Sequence, residues 1–265
     1  MKFWKMNGAG NDFMVIDARG RELDFSKMAK ELCALSGADG FMAVDYSDKA
    51  DFRLHFYNSD GSRGEMCGNG SRCICRFAYE HGIASEEMTV LTDAGIVSGK
   101  RISQSQYQVK LNNPGVLDLT RLPGVAYVEL GNPGVPHAVE EIPGLLWSGK
   151  DKLREHAKEL RFHSAFPKGA NVNFYTWLAP DRLRVLTYER GVEDYTLACG
   201  TGCGSISACL FAQGKLPDGS LTLENEGGVL RYQLEGSGKQ ITSLLMEGPT
   251  EVLKIYDIDI SQYRI

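Results

Sequence analysis

Two short segments of this chain carry residue types that can do chemistry at a telling spacing. Met66-Cys67-Gly68-Asn69-Gly70 and Ala198-Cys199-Gly200-Thr201-Gly202 share a Cys-Gly-x-Gly pattern, and the two cysteines stand 132 residues apart. The glycines let backbone approach a ligand closely. Helices are predicted just beyond, over Ser71–Tyr79 and Gly204–Ala212, so each cysteine stands where a loop runs into a helix. Unpaired N–H groups and the helix dipole at such a place favour a carboxylate or phosphate. They also lower a thiol pKa from about 8.5 towards neutrality. One such thiol suggests a nucleophile. Two, from repeated segments, suggest a symmetric arrangement. Inverting a stereocentre calls for that: one group takes a proton from one face and another delivers a proton to the opposite face. Cysteine serves either role, as thiolate base or thiol acid. Helix N-termini would hold the attached carboxylate and stabilise charge building on it.

The elements that must position these thiols repeat as well. Arg53-Leu54-His55-Phe56-Tyr57-Asn58 precedes the first motif and Arg184-Val185-Leu186-Thr187-Tyr188-Glu189 the second, with the arginines 131 residues apart. Each copy reads strand, turn, Cys-Gly-x-Gly, helix. This predicts a duplicated unit, with a boundary at the turn-rich Asn112-Asn113-Pro114-Gly115. Further strands are expected at Phe13–Asp17, Tyr107–Leu111, Ala126–Leu130, Asn173–Trp177, Leu221–Leu223 and Val229–Leu234. A helix is expected over Phe25–Leu35 with Ser26 as its N-cap. Strands mixed with helices make an α/β or α+β protein.

The chain has 265 residues, 43% hydrophobic and 24% charged, which suits a globular protein large enough to fold without disulfides. A net charge of −5 and a pI of about 5.6 argue against a nucleic-acid partner, which needs a basic face. No apolar run approaches the roughly 20 residues that span a bilayer. The stretch Met1–Gly8 lacks a signal-peptide core, so a cytoplasmic location and no membrane partner are expected. Seven cysteines, an odd number, argue against a disulfide framework. Cys33, Cys73, Cys75, Cys203 and Cys209 lie within or at the start of predicted helices and should pack as small apolar side chains; core burial is the alternative for Cys67 and Cys199 too. A zinc site using Cys73-Ile74-Cys75 and Cys199/Cys203 is disfavoured, because structural zinc usually takes Cys-x2–4-Cys pairs on turns. Gly8-Ala9-Gly10-Asn11-Asp12 is neither a Walker loop nor a dinucleotide fingerprint. No metal, nucleotide or nicotinamide is therefore expected.

With these motifs in view, the chain resembles the diaminopimelate epimerase family over essentially its whole length. The resemblance rests on Lys5-Met6-x-Gly8-x-Gly10-Asn11-Asp12-Phe13, Asn58-x-Asp60-Gly61, the two Cys-Gly-x-Gly segments, Gly134-Val135-Pro136-His137, Asn171-Val172-Asn173-Phe174 and Tyr188-Glu189-Arg190-Gly191. It implies two similar domains with pseudo-two-fold symmetry, each a central helix wrapped by β-strands. These would be residues 1–113, joined by a C-terminal strand over 252–265, and residues 114–251. It implies a cofactor-independent epimerase converting L,L-diaminopimelate to the meso form in lysine and peptidoglycan biosynthesis. Cys67 and Cys199 match the catalytic pair. His137 and Glu189 match residues near the reaction centre. Asn11, Asn58, Asn171 and Arg190 match residues that bind the distal groups of the substrate. Gly68, Asn69, Gly200 and Thr201 match the two helix starts that hold the reacting carboxylate. Members of that family are often dimers, so a homodimer is among the expected assemblies.

The chain departs from the family's pattern at two places. Val135 stands where many members have an asparagine, and Gly40 where some have a glutamine; Asn132 is a candidate substitute for the first. Proline and hydroxyproline racemases use a similar cysteine pair and are the nearest alternative, but typically carry histidine where this chain has Asn69. A non-catalytic binding protein on the same fold is the alternative from another class, and the presence of both thiols argues against it.

Overall fold

The computed structural model describes residues 1–64 and 67–263. Met66 of the first motif, and the end of the strand expected over 252–265, lie outside them. In chain order the elements are β1 (Lys2–Gly8), β2 (Asn11–Asp17), α1 (Phe25–Ser36), β3 (Gly40–Asp45), β4 (Phe52–Asn58), β5 (Arg63–Gly64), α2 (Gly68–Glu80), β6 (Glu87–Thr92), β7 (Gly95–Arg101) and β8 (Gln106–Lys110). There follow β9 (Pro114–Leu122), β10 (Val125–Gly131), β11 (Gly134–Glu141), a 3-10 turn (Trp147–Leu153), α3 (Arg154–Arg161), β12 (Asn171–Ala179), β13 (Arg182–Glu189) and β14 (Asp194–Thr196). The last are α4 (Gly200–Ala212), β15 (Ser220–Asn225), β16 (Gly228–Ser237), β17 (Gln240–Pro249), β18 (Glu251–Asp257) and a 3-10 turn (Ser261–Tyr263). The protein is a sheet-dominated α+β fold of two compact units, Met1–Val109 with Gly248–Ile265, and Lys110–Glu247. The divides fall before the 113/114 expected from turn residues and the 251/252 that the resemblance implies. Leu111 N–H bonds to Leu244 O at 2.9 Å, so the chain already runs with the second unit ahead of its turn.

The first unit orders its strands β18-β1-β2-β3-β4-β6-β7-β8. The second orders them β9-β10-β11-β12-β13-β15-β16-β17. The two orders are the same pattern. In both, only the third and fifth neighbour pairs are parallel: β2–β3 and β4–β6, then β11–β12 and β13–β15. These are the joins where a helix makes the crossover, as a parallel pair requires. One difference stands out. In the second unit the leading strand β9 comes from adjacent sequence, whereas in the first that place is taken by β18, from the far end of the chain.

Helices α2 and α4 each span 13 residues, and ten of those in each are buried. A helix buried around most of its girth has strands on every side. α2 packs against β1, β2, β3 and β7, and α4 against β9–β12 and β16. Small residues make this possible. A Cβ on Gly204 would touch Leu111, Leu130 and Leu244 at 3.2–3.4 Å, and one on Gly8 would lie 2.8 Å from Asn69 O. Both helices begin ahead of the predicted Ser71 and Gly204, because the glycines that weaken local propensity are here held by the surrounding strands. The cap of α1 differs from expectation. Asp24, not Ser26, is the N-cap, accepting from Lys27 N–H at 3.0 Å, while Ser26 Oγ donates to Gly61 O at 2.7 Å.

Candidate active site

In the first unit, Cys67 is the N-cap of α2 in extended backbone, and its carbonyl accepts from Ser71 N–H at 2.7 Å. Behind it lie Gly68 and Asn69, both buried. Asn69 Nδ2 donates to Asn11 Oδ1 at 2.8 Å, and Asn69 Oδ1 accepts from the buried Arg72 at 3.0 Å. Asn11 opens β2 just after the tight β1–β2 turn at Ala9-Gly10, where both residues have positive φ. Asp39 anchors this corner, accepting from Asp12 N–H at 2.9 Å and from Asn11 Nδ2 at 3.4 Å. Asn58 ends β4 opposite Gly40, but its Nδ2 donates to Ser62 Oγ at 3.0 Å. The structure thus links Asn11 and Asn69 directly and leaves the Asn58 side chain in its own turn. A Cβ on Gly40 would lie 2.8 Å from the Phe56 ring and 3.1 Å from Tyr57 O, so a side chain there needs its neighbours to move.

In the second unit, Cys199 is the N-cap of α4, also extended. Its sulfur accepts from Gly202 N–H at 3.3 Å and lies 3.5 Å from Thr201 Oγ1. Cys199 is buried, 8% exposed. Burial pushes its thiol well above the ordinary range and the Glu189 carboxylate adds to this, while the bonds from Thr201 and Gly202 pull the other way. The expectation that a helix start lowers a thiol pKa therefore fails at Cys199: desolvation outweighs the donated bonds. Gly200, the first residue of α4, is fixed by Tyr232 Oη, which donates to its carbonyl at 2.6 Å.

In the second unit hydrogen bonds link Asn171 to Arg190 and, through Asn173, to His137. Asn171, opposite His137 in the β11–β12 pair, donates from Nδ2 to Pro136 O at 3.1 Å. Its Oδ1 accepts from Arg190 N–H at 2.8 Å. Arg190 is exposed and donates from Nη1 to Lys168 O at 3.0 Å; among the described residues it has no carboxylate partner. Glu189 ends β13 beside it. His137 is fully buried, and burial, helped by the Arg190 charge, brings its pKa down to about 3. It is a neutral imidazole at any physiological pH. Val135, at one place of departure, is 40% exposed, and Asn132 lies in the β10–β11 turn.

Sequence reasoning gave no role to two residues that organise these groups, Asp39 and Asn173. Asn173 lies inside an apolar strand run, which was the signal: a buried amide there needs partners. The five cysteines expected to pack are all buried. Burial pushes Cys33, Cys73, Cys75 and Cys209 up to about 12. Among the described residues no three His, Cys, Asp or Glu side chains gather as a metal site, and no helix is long and apolar enough to cross a membrane.

The fold is one that isomerases and related enzymes share. A Bacillus anthracis phenazine biosynthesis protein of the PhzF family matches with a TM-score of 0.72 at 13% identity, covering 98% of this chain and 99% of the other. A hydroxyproline epimerase from Agrobacterium vitis matches with a TM-score of 0.64 at 16% identity, covering 97% of this chain and 90% of the other. The sequence narrows this further. The diaminopimelate epimerase family model matches residues 3–113 and 127–253. The diaminopimelate epimerase of Aquifex aeolicus is 39% identical over 248 residues, covering 85% of this chain and 88% of the relative. That of Flavobacterium psychrophilum is 32% identical over 257 residues, covering 95% and 97%. The chain belongs to the diaminopimelate epimerase family.

Proposed function

We propose that the protein interconverts L,L- and meso-diaminopimelate by a two-thiol proton transfer without a cofactor, supplying lysine and peptidoglycan synthesis in the cytoplasm. The observation that carries this reading is the recurrence of a cysteine as the N-cap of a buried helix, once in each unit. The names of the relatives supply the substrate class. In one direction the Cys67 thiolate takes the α-proton and the Cys199 thiol delivers its own proton to the opposite face. The bond to hydrogen broken on one side is replaced on the other, and the two sulfurs exchange protonation states. The reverse direction uses them in the opposite roles. Burial keeps resting Cys199 a thiol, which suits it to be the acid that meets substrate first.

The backbone N–H groups at Gly68-Asn69 and Gly200-Thr201 bind the reacting carboxylate and stabilise the charge that builds on it as the α-carbon flattens. His137 and Glu189 contact the substrate near the reacting carbon. Arg190 binds the distal carboxylate through its guanidinium fork. Asn11, Asn58 and Asn171 offer donors and acceptors to the distal amino-acid group. The protein acts on this small molecule through its two domains and as a homodimer.

The test is exchange of the substrate α-proton in deuterated water. Diaminopimelate should exchange and proline should not; exchange with proline alone would overturn the reading in favour of a proline racemase. Cys67→Ala and Cys199→Ala should each abolish epimerisation with circular dichroism unchanged. Turnover retained in either would sink the two-thiol mechanism.

A further inference from the structure

The group around His137 contains one residue to which no role has been given. Asn173 is completely buried on β12. Its amide has only one possible orientation. Nδ2 faces two carbonyls, Ala138 O at 3.0 Å and Asn171 O at 3.2 Å, and carbonyl oxygens only accept. Oδ1 faces the Thr187 hydroxyl, which donates to it at 3.1 Å. The same Nδ2 lies 3.2 Å from His137 Nδ1. An imidazole nitrogen bearing a proton cannot face an amide NH2, because two donors would meet. His137 Nδ1 is therefore bare, and a neutral ring then carries its proton on Nε2. Nε2 is buried and has no hydrogen-bond partner among the described residues. A buried N–H with nothing to donate to is costly and rare in native proteins.

The same amide reaches the thiol's helix from its other end. A Cβ built on Gly202 would lie 2.1 Å from Asn173 Oδ1. The first turn of α4, whose Gly202 N–H is bonded to Cys199 sulfur, thus rests against Asn173. The place that matches Gly202 in the first unit is Gly70, where a Cβ would meet Met42 sulfur at 3.1 Å. That contact is apolar, and β3 there has no amide. Among the described residues the polar device belongs to one unit alone.

From this we infer that Asn173 is a positioning residue: it holds His137 in the tautomer with Nε2–H, aiming one neutral donor at an acceptor oxygen of the substrate, and fixes that donor relative to the Cys199 helix start. The inference rests on the reading of His137 as a substrate contact. A neutral donor suits the task. It stabilises negative charge on a carboxylate oxygen without itself giving up a proton to the thiolates.

Nitrogen-15 spectra of the histidine-labelled wild-type protein test the tautomer directly, with the His137 signal assigned by its loss in His137→Gln. At neutral pH the proton should be on Nε2; a proton on Nδ1, or on both nitrogens, overturns the inference. Asn173→Asp then tests its use. A carboxylate accepts from Nδ1–H, so the proton should move to Nδ1 and kcat/KM for diaminopimelate should fall on the order of 10- to 100-fold, as for one lost bond to a charged group. If Asn173→Asp fails to fold, Asn173→Ala carries the test: with no NH2 facing Nδ1, the ring should no longer be held with its proton on Nε2 alone, and kcat/KM should fall. Unchanged kcat/KM in a folded Asn173→Asp or Asn173→Ala would reject the positioning role. A wild-type protein that exchanges no diaminopimelate proton would reject the parent function, while the wild-type spectrum would still decide the tautomer.

Discussion

At the scale of single residues, the two cysteines occupy matching places but different surroundings. Cys199 is buried and held as a thiol, whereas Cys67 is partly exposed. Iodoacetamide should label Cys67 first at neutral pH, and Cys199 labelling should accelerate as pH rises towards its raised pKa. Peptide mass spectrometry over time checks this; labelling in the opposite order would show that burial does not set reactivity here. The thiols were legible in the sequence because a cysteine followed by Gly-x-Gly, met twice at matching places, is an uncommon pattern with a physical use. Their state was not, since desolvation depends on which strands close over the helix. Asp39 and Asn173 were not legible either. Both act through side-chain bonds to partners that only the folded sheet brings near.

At the scale of elements, the close packing of α2 and α4 makes their glycines unequal. Gly70 faces Met42 sulfur, the flexible end of an apolar chain, at 3.1 Å from a would-be Cβ. Gly202 faces, at 2.1 Å, the oxygen of an amide whose oxygen accepts from Thr187 and whose nitrogen donates to Ala138 O. Gly70→Ala should cost little, while Gly202→Ala should destabilise by about 1–3 kcal/mol through overpacking and lower turnover as well. Urea unfolding midpoints of the two variants measure the contrast, and equal midpoints would contradict it. The element pattern itself was partly readable. Strands such as β4 and β13 announce themselves by alternation, and α1 by its apolar periodicity. Strands β6 and β7 alternate too, but Thr92 and Gly99 stand at inward places and blur the apolar signal. α3 escaped because its apolar contribution is only Ala157 and Leu160.

At the scale of the whole molecule, burial of neutral histidine makes stability depend on pH. The unfolded chain binds a proton at His137 below about pH 6.5, whereas the folded chain refuses it until about pH 3. Stability is therefore present above that window and is lost as pH falls through it, at up to about 1.4 kcal/mol per pH unit. His55, whose pKa burial also lowers, adds in the same direction. Urea midpoints between about pH 7 and pH 5 should fall, and His137→Gln should flatten the slope. An unaltered slope in that variant would show that His137 is not the group responsible. The duplication was readable at this scale from two matched segments at nearly equal offsets. That one copy is completed by the end of the chain is written in no motif; it follows from β18 pairing with β1.

That pairing also reverses the order in which the molecule can be finished as it is made. The second unit is continuous, Lys110–Glu247, and has all its strands once that stretch has left the ribosome. The first unit emerges earlier but waits with one edge of β1 unpaired until Glu251–Asp257 arrives. Arg76 has no Thr250 carbonyl, and Glu31 no Tyr263 hydroxyl, until the same moment. The half synthesised first is the half completed last, and the arrival of β18 is the event that closes it.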